Sequence, residues 1–405
     1  MSKKIPIGIT VALLVIAIVA SSAATFFTVI HRYNELLVDL PQKSEQYIRL
    51  SDVDELVRRE YFGRVDSEKI DESLARGYLS GLGDSYCYYI APDEYENYTN
   101  LIKGKLPGVG ITAYFDMDTS LLLISDVDKG SPAEIAGISK DMYITAVNGK
   151  EVTIEEHEEL LSLMSDKYEG EVRITYTDLP EIDETDLKEV KLSCGYIDVS
   201  CDYSHDGNIG YIRISSFYEN TVDVFRSAVS YMQENTVTSV ILDLRNSSGV
   251  DLDVAAEIID VIVPVGNEGT GAIFTAQNAD GEIVKQVSSD ASSLNMSFVV
   301  LVNDRTECAA ELVACDLRDF GKAVLFGEPT SGHGTLQQIF TLEDGGAVTL
   351  TVAEIKPYIS ESFDEKGVSP DVEILTTEAF KNRIGQMDLE DDEQYQRAYS
   401  YLSGK

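Results

Sequence analysis

A chain of 405 residues with 44% hydrophobic and 25% charged content has ordinary globular composition and enough length for two or three cores. Its 32 basic side chains against 70 acidic ones give a net charge of −38, which excludes the basic footprint that nucleic-acid binding needs. The acidic residues run along the whole chain rather than forming a tail, so they read as a soluble surface.

In chain order, "MSKK" precedes an uncharged apolar stretch, residues 5–30. About twenty such residues span a bilayer as a helix. "VASSAA" resembles a small-residue cleavage site, so a cleaved signal peptide is the alternative. The stretch exceeds a signal core of about 7–15 residues, and we read residues 1–30 as an uncleaved anchor. Lys3 and Lys4 then stay cytoplasmic, and the chain is a single-pass cell-membrane protein with its bulk outside the cytoplasm. Residues 31–105 read as a polar helical arm. Ser51 is a candidate N-cap with Asp54 three residues on, Ile70, Leu74 and Leu79 mark a second helix, and "APDEYENYTNLI" a third.

Near residue 106 the style changes. "LPGVGITAYFD" sets Gly108 and Gly110 before an extended run, and "GSPAEIAGI" starts a short helix at Pro132 after Ser131. "YITAVNGKEV" is a strand, an Asn-Gly turn and a strand, and "TIEEHEELLSLM" is an amphipathic helix. On the "GVGI" loop, "GSPAEIAGI" and "AVNGKEV", residues 106–195 resemble a PDZ domain. The resemblance implies a groove that binds a chain end by strand addition, with Gly108, Val109, Gly110 and Ile111 as carboxylate loop and edge, and Glu155–Met164 as the other wall.

Residues 196–377 alternate strand and helix. "NIGYIRISSF", "VTSVILDLRN", "SFVVLVND", "AVLFGEPT" and "GAVTLTVAEIKPY" read as strands, with amphipathic helices between them. The pattern predicts a largely parallel sheet with its chemistry at strand ends. Residues 378–405 end in an amphipathic helix. The fold class is a multidomain α/β and α+β chain: membrane helix, helical arm, PDZ domain, α/β core and helical tail. The arm and the tail are candidate surfaces for a homodimer.

Five cysteines, at 87, 194, 201, 308 and 315, form no CxxC pair, and "EEHEELL" is not HExxH. Neither a zinc site nor a disulfide framework is indicated, and no metal or other cofactor is implied. By spacing alone, Cys308 and His333 read as an ordinary core cysteine and a loop histidine rather than as a catalytic pair.

The order "GYIRISSF…VILDLRNSSG…VVLVNDRTECAAELVACDLRDFGKAVLFGEPTSGHGTLQQ…GVSPDV" is similar to that of the C-terminal processing (tail-specific) peptidases. The resemblance covers about residues 50–400. It implies an endopeptidase acting on proteins and peptides with free, unstructured C-termini. The family's serine nucleophile falls on Cys308, three residues before Glu311. Its lysine base falls on His333 in "SGHGT", and its supporting Gln on Gln337. The two changes are mutually compatible, because a thiol's natural partner is imidazole. A helix N-terminus next to Cys308 is expected to lower the thiol pKa. The oxyanion donors implied are the amides of Gly249 and Ala309. Here the sequence departs again: Val250 replaces the second glycine of the family's turn. A catalytically inactive chain that binds peptides through its PDZ domain therefore stays open as the alternative. Asp243 and Arg245 read as structural charges, and Cys315 as core packing.

Overall fold

The structure is a computed structural model, which describes residues 40–180, 185–249, 251–263, 272–289 and 293–404. The apolar stretch 5–30 and Val250 lie outside the described residues. Among those described, no helix is long and apolar enough to cross a membrane. One compact unit ends at Leu74 and the second runs Ala75–Lys405.

The first unit contains α1 (Leu40–Glu60) and the start of α2 (Ser67–Ser80). Ser51, expected to cap a helix, sits in the middle of α1. No Pro or Gly interrupts residues 42–60, so nothing stops the helix from running back through the serine.

The second unit opens with the rest of α2, then β1 (Tyr88–Ile90), α3 (Pro92–Ile102) and β2 (Lys105–Leu106). β3 (Ile111–Asp116), β4 (Leu121–Val127), α4 (Pro132–Ile135), β5 (Tyr143–Val147) and β6 (Lys150–Glu151) follow. Next come α5 (His157–Ser165), β7 (Glu171–Thr177), β8 (Lys188–Ser193) and β9 (Tyr196–Ile197). Here the strands form an antiparallel sheet in the order β3-β4-β5-β7-β8, with β6 on β5. Asn148 and Gly149 both have positive φ (53° and 80°), the tight hairpin turn that the Asn-Gly pair predicts. Leu122, Ile124, Ile144, Ile174, Leu160 and Met164 fill the core between sheet and α5. β3 is the edge strand, with α5 beside it.

The α/β region begins with β10 (Cys201–Asp206), β11 (Ile209–Ile214), α6 (Thr221–Glu234), β12 (Ser239–Asp243) and α7 (Leu252–Ile262). It continues with β13 (Ala272–Gln277), β14 (Ile283–Ser288), β15 (Ser297–Val302), α8 (Ala309–Asp319) and β16 (Ala323–Gly327). Last are β17 (Thr335–Thr341), β18 (Ala347–Lys356), β19 (Val372–Glu373), α9 (Glu378–Lys381) and α10 (Glu393–Ser403). The central sheet runs β10-β11-β12-β15-β16-β19, parallel from β11 onward. Side chains alternate across it. Val240, Leu242, Val300 and Val302 share a core with α6, α7 and α8, while Ile241, Val299 and Leu301 face Tyr395 and Ala398 of α10. Burial on both faces is what the unbroken apolar runs of β12 and β15 require.

The strand "GAVTLTVAEIKPY" does not join this sheet. As β18 it lies in a second, antiparallel sheet with β1, β13, β14 and β17. Its residues alternate between buried and part-exposed, the mark of a strand with one wet face. Asp243 and Arg245 are fully buried. Arg245 forks onto Asp243 (2.6 and 2.8 Å), Asp392 (2.7 and 3.0 Å) and Gln394 (2.9 Å). The charges thus tie the central sheet to α10.

Candidate active site

A cavity of about 710 Å³ opens at the ends of the central strands. Cys308, His333, Gln337, Gly249 and Glu307 line it, together with Tyr86, Tyr88, Tyr98, Phe217, Leu252 and Leu336. The structure therefore gathers four of the expected site residues from three separate loops and one strand. Neither Asp243 nor Arg245 reaches this cavity.

Cys308 stands immediately before α8, with φ 47° and ψ −101°. A non-glycine residue held at positive φ costs on the order of 1–3 kcal/mol and persists only where its surroundings fix it. Glu311 does the fixing. Its buried carboxylate accepts the amides of Cys308 (2.9 Å), Gly332 (2.7 Å) and His333 (2.8 Å), and the hydroxyls of Thr330 (2.5 Å) and Ser331 (3.2 Å). One carboxylate thus clamps the thiol-bearing turn to the loop that carries His333. Sequence reading noted Glu311 only as a landmark. Its place at the third helical position, where a capping-box Glu sits, was the available signal.

His333 is buried, and its Nε2 lies 3.1 Å from Oε1 of Gln337. The Gln337 amide nitrogen donates to the hydroxyls of Thr335 (2.7 Å) and Thr351 (3.3 Å). That arrangement turns Oε1 toward the ring, so Nε2 is the donor and Nδ1 keeps the lone pair. Tyr86 stacks on the other side of the imidazole. It comes from the segment before β1 and carried no sequence signal.

The electrostatics differ from expectation. The Ala309 amide at the helix start does favour the Cys308 thiolate, but burial, with Glu311 and Glu307 adding to it, pushes the thiol up instead. Desolvation of a fully buried sulfur outweighs one helix terminus. Burial also holds His333 below its ordinary value, against the Gln337 contact and the charges of Asp364 and Asp84, which favour the cation. At neutral pH the resting pair is thiol and neutral imidazole. The thiol's hydrogen-bond partner is the Thr335 carbonyl, 3.9 Å away, rather than the imidazole.

Gly249 and Ala309 are brought together, but as partners of one another: the Ala309 amide donates to the Gly249 carbonyl at 3.2 Å. Gly249 has φ 140°, and a Cβ there would meet Phe217 at 2.9 Å, so the turn admits only glycine at this place. In the 106–195 region, Gly108 and Gly110 take positive φ (78° and 75°). The amides of Gly108 and Val109 already donate to Lys167 (2.7 Å) and Met164 (2.9 Å) at the end of α5, while the Gly110 amide has no partner among the described residues. Ile111 begins the edge strand β3, and Phe115 of that strand contacts the His157 ring of α5 at 5.0 Å. All five cysteines are buried and free. Cys315 packs in the core, and its thiol is pushed up to about 12, chiefly by burial. No cluster of metal-ligating side chains occurs among the described residues.

At the end of this parallel sheet, a strained thiol at a helix start shares one cavity with a buried imidazole and the amide that contacts it. Residues 208–374 match the model of peptidase family S41. The chain is 29% identical over 368 residues to the carboxy-terminal processing protease CtpA of Bacillus subtilis strain 168, covering 89% of this chain and 75% of that protein. It is 26% identical over 330 residues to a CtpA-like serine protease of Staphylococcus aureus strain N315, covering 81% of this chain. The match spans 64% of the length of that Staphylococcus relative. A solved structure described as an S41 protease of Bacteroides fragilis NCTC 9343 shares the fold, with a TM-score of 0.51 at 20% identity over 85% of this chain and 91% of that one.

Proposed function

We propose that this chain is a C-terminal processing endopeptidase with Cys308 as nucleophile and His333 as general base. The observation that carries the reading is a single one: a thiol at a strained helix start and a Gln337-oriented imidazole share one cavity in an S41 peptidase region. Because both groups rest neutral, Nδ1 of His333 takes the thiol proton as Cys308 attacks the scissile carbonyl. The sulfur–carbon bond forms, the carbonyl becomes an oxyanion, and the imidazolium then returns the proton to the leaving amine. Water and the same histidine release the acyl group. The oxyanion requires the Ala309 amide, which the substrate carbonyl must win from Gly249.

The upstream parts complete the proposal. Residues 5–30 anchor the chain in the cell membrane with its bulk outside the cytoplasm. Residues 106–195 act as a PDZ domain that holds unstructured C-terminal ends between β3 and α5, with the free Gly110 amide as its carboxylate donor. The helical arm and tail supply homodimer contacts.

The occupied Ala309 amide and the absence of a thiol–imidazole hydrogen bond favour a second reading, a catalytically inactive adaptor that grips peptides. Incubation of the purified protein with unfolded substrate proteins decides between them. Hydrolysis lost in Cys308→Ala and after alkylation, but kept in Cys315→Ala, supports the peptidase. Binding of C-terminal peptides without turnover overturns it in favour of the adaptor.

A further inference from the structure

Tyr86 lies flat on His333, with ring centroids 3.4 Å apart and planes 9° from parallel. The stack is built in. Asp84 accepts the Tyr86 amide at 2.8 Å and contacts the Cys87 thiol at 3.3 Å. The Thr351 amide donates to the Cys87 sulfur at 3.3 Å, and the next residues pair with β18, Tyr88 opposite Thr349. Thr351 thus serves two purposes. Its amide steadies the turn that carries Tyr86, and its hydroxyl helps fix Gln337 against Nε2 of His333. One strand backs both the face and the edge of the imidazole.

We infer that Tyr86 is a positioning residue for His333, whose ring fixes the imidazole plane so that Nδ1 is presented to the Cys308 sulfur. The inference rests on the reading of His333 as base. An imidazole held only by one edge hydrogen bond can swing about that bond, and a flat aromatic face in van der Waals contact prevents it. The charges facing the ring are Asp84 in the same turn and Asp364 from the loop after β18, while Glu311 holds the His333 backbone. These groups set its field; Tyr86 sets its orientation. The phenol hydroxyl has no part in this.

The test compares Tyr86→Phe, Tyr86→Leu and His333→Ala in the full-length protein. Hydrolysis of an unfolded substrate gives kcat, KM and their pH profiles. Alkylation of Cys308 by iodoacetamide, followed by mass spectrometry, reads the same geometry without turnover, and thermal unfolding midpoints report folding. The phenylalanine variant keeps the face and is expected within about twofold of the parent. The leucine variant keeps the apolar cover but not the plane. Its kcat is expected to fall about tenfold with KM within about twofold, and alkylation at Cys308 to slow in step. Parent-like rates in Tyr86→Leu, with rates lost in His333→Ala, overturn the inference alone. A phenylalanine variant as impaired as the leucine one also overturns it, assigning the role to the hydroxyl. Rates unchanged in His333→Ala overturn the base, and the inference with it.

Discussion

Helix α8 carries two buried cysteine–carboxylate pairs in neighbouring stretches, and they behave oppositely. At its start, Cys308 sits at positive φ on the wall of a cavity, and Glu311 is satisfied by five donors. Further along, Cys315 and Asp316 have ordinary helical backbone. Asp316 accepts one amide, from Tyr358 at 2.9 Å, and its second oxygen has no partner among the described residues. Burial raises the pKa of both acids, but it drives that of Asp316 much further, because only one donor opposes it and Asp319 adds to the rise. A cysteine close to a buried carboxylate thus forms part of the clamped site in one place and inert filling in the other. What separates them is the number of donors that the surrounding loops deliver.

The comparison breaks most readily at the cysteines. Cys308→Ala is expected to reduce hydrolysis to background, whereas Cys315→Ala leaves kcat/KM within about twofold; an active Cys308→Ala enzyme would remove the distinction. Glu311→Ala orphans three buried amides and frees the Cys308 turn, so a loss of about 3 kcal/mol or more is expected in urea unfolding, with activity lost as well. Asp316→Asn tests the other end of the contrast. The folded protein holds the Asp316 proton to higher pH than the unfolded chain does. The stability this contributes is fully present below the ordinary aspartate value of 3.8 and is lost as pH rises toward the raised folded value. In that window the slope reaches about 1.4 kcal/mol per pH unit for one group. Urea titrations of parent and Asp316→Asn at pH 5, 6 and 7 are expected to show a steeper decline in the parent. The smallest effect concerns Gln337→Ala, which leaves His333 its stack but not its edge contact. Its kcat is expected to fall about tenfold or less, with the melting midpoint nearly unchanged.

Much of this architecture was legible in the residues. Continuous apolar runs marked β12 and β15, the Asn-Gly pair marked the β5–β6 hairpin, and Ser131-Pro132 marked the start of α4. β18 was misassigned to the parallel sheet although its alternation "TLTVAEIK" differs from the unbroken "FVVLV" of β15; the periodicity was there to be weighed. Ser51 misled because a capping residue is a signal only where the preceding chain cannot be helical. At the candidate site, Cys308, His333 and Gln337 were assigned from motif order, and the fold brings all three to one cavity. Tyr86 was not, because it arrives from far upstream through a strand pairing that no local pattern encodes. The sign of the thiol shift was missed for a physical reason. A helix terminus can be read from sequence, but the desolvation that outweighs it depends on which side chains close over the sulfur.

The Arg245 fork has a bearing on the order in which the molecule is made. Its guanidinium, in the middle of the chain, waits for Asp392 and Gln394, and the same late segment brings Tyr395 and Ala398 to cover Ile241, Val299 and Leu301. Until that stretch has emerged, the newly synthesised sheet has one greasy side open to water and a cation lacking half of its counter-charge. Closure of this sheet thereby waits until residues 392–398 have been made.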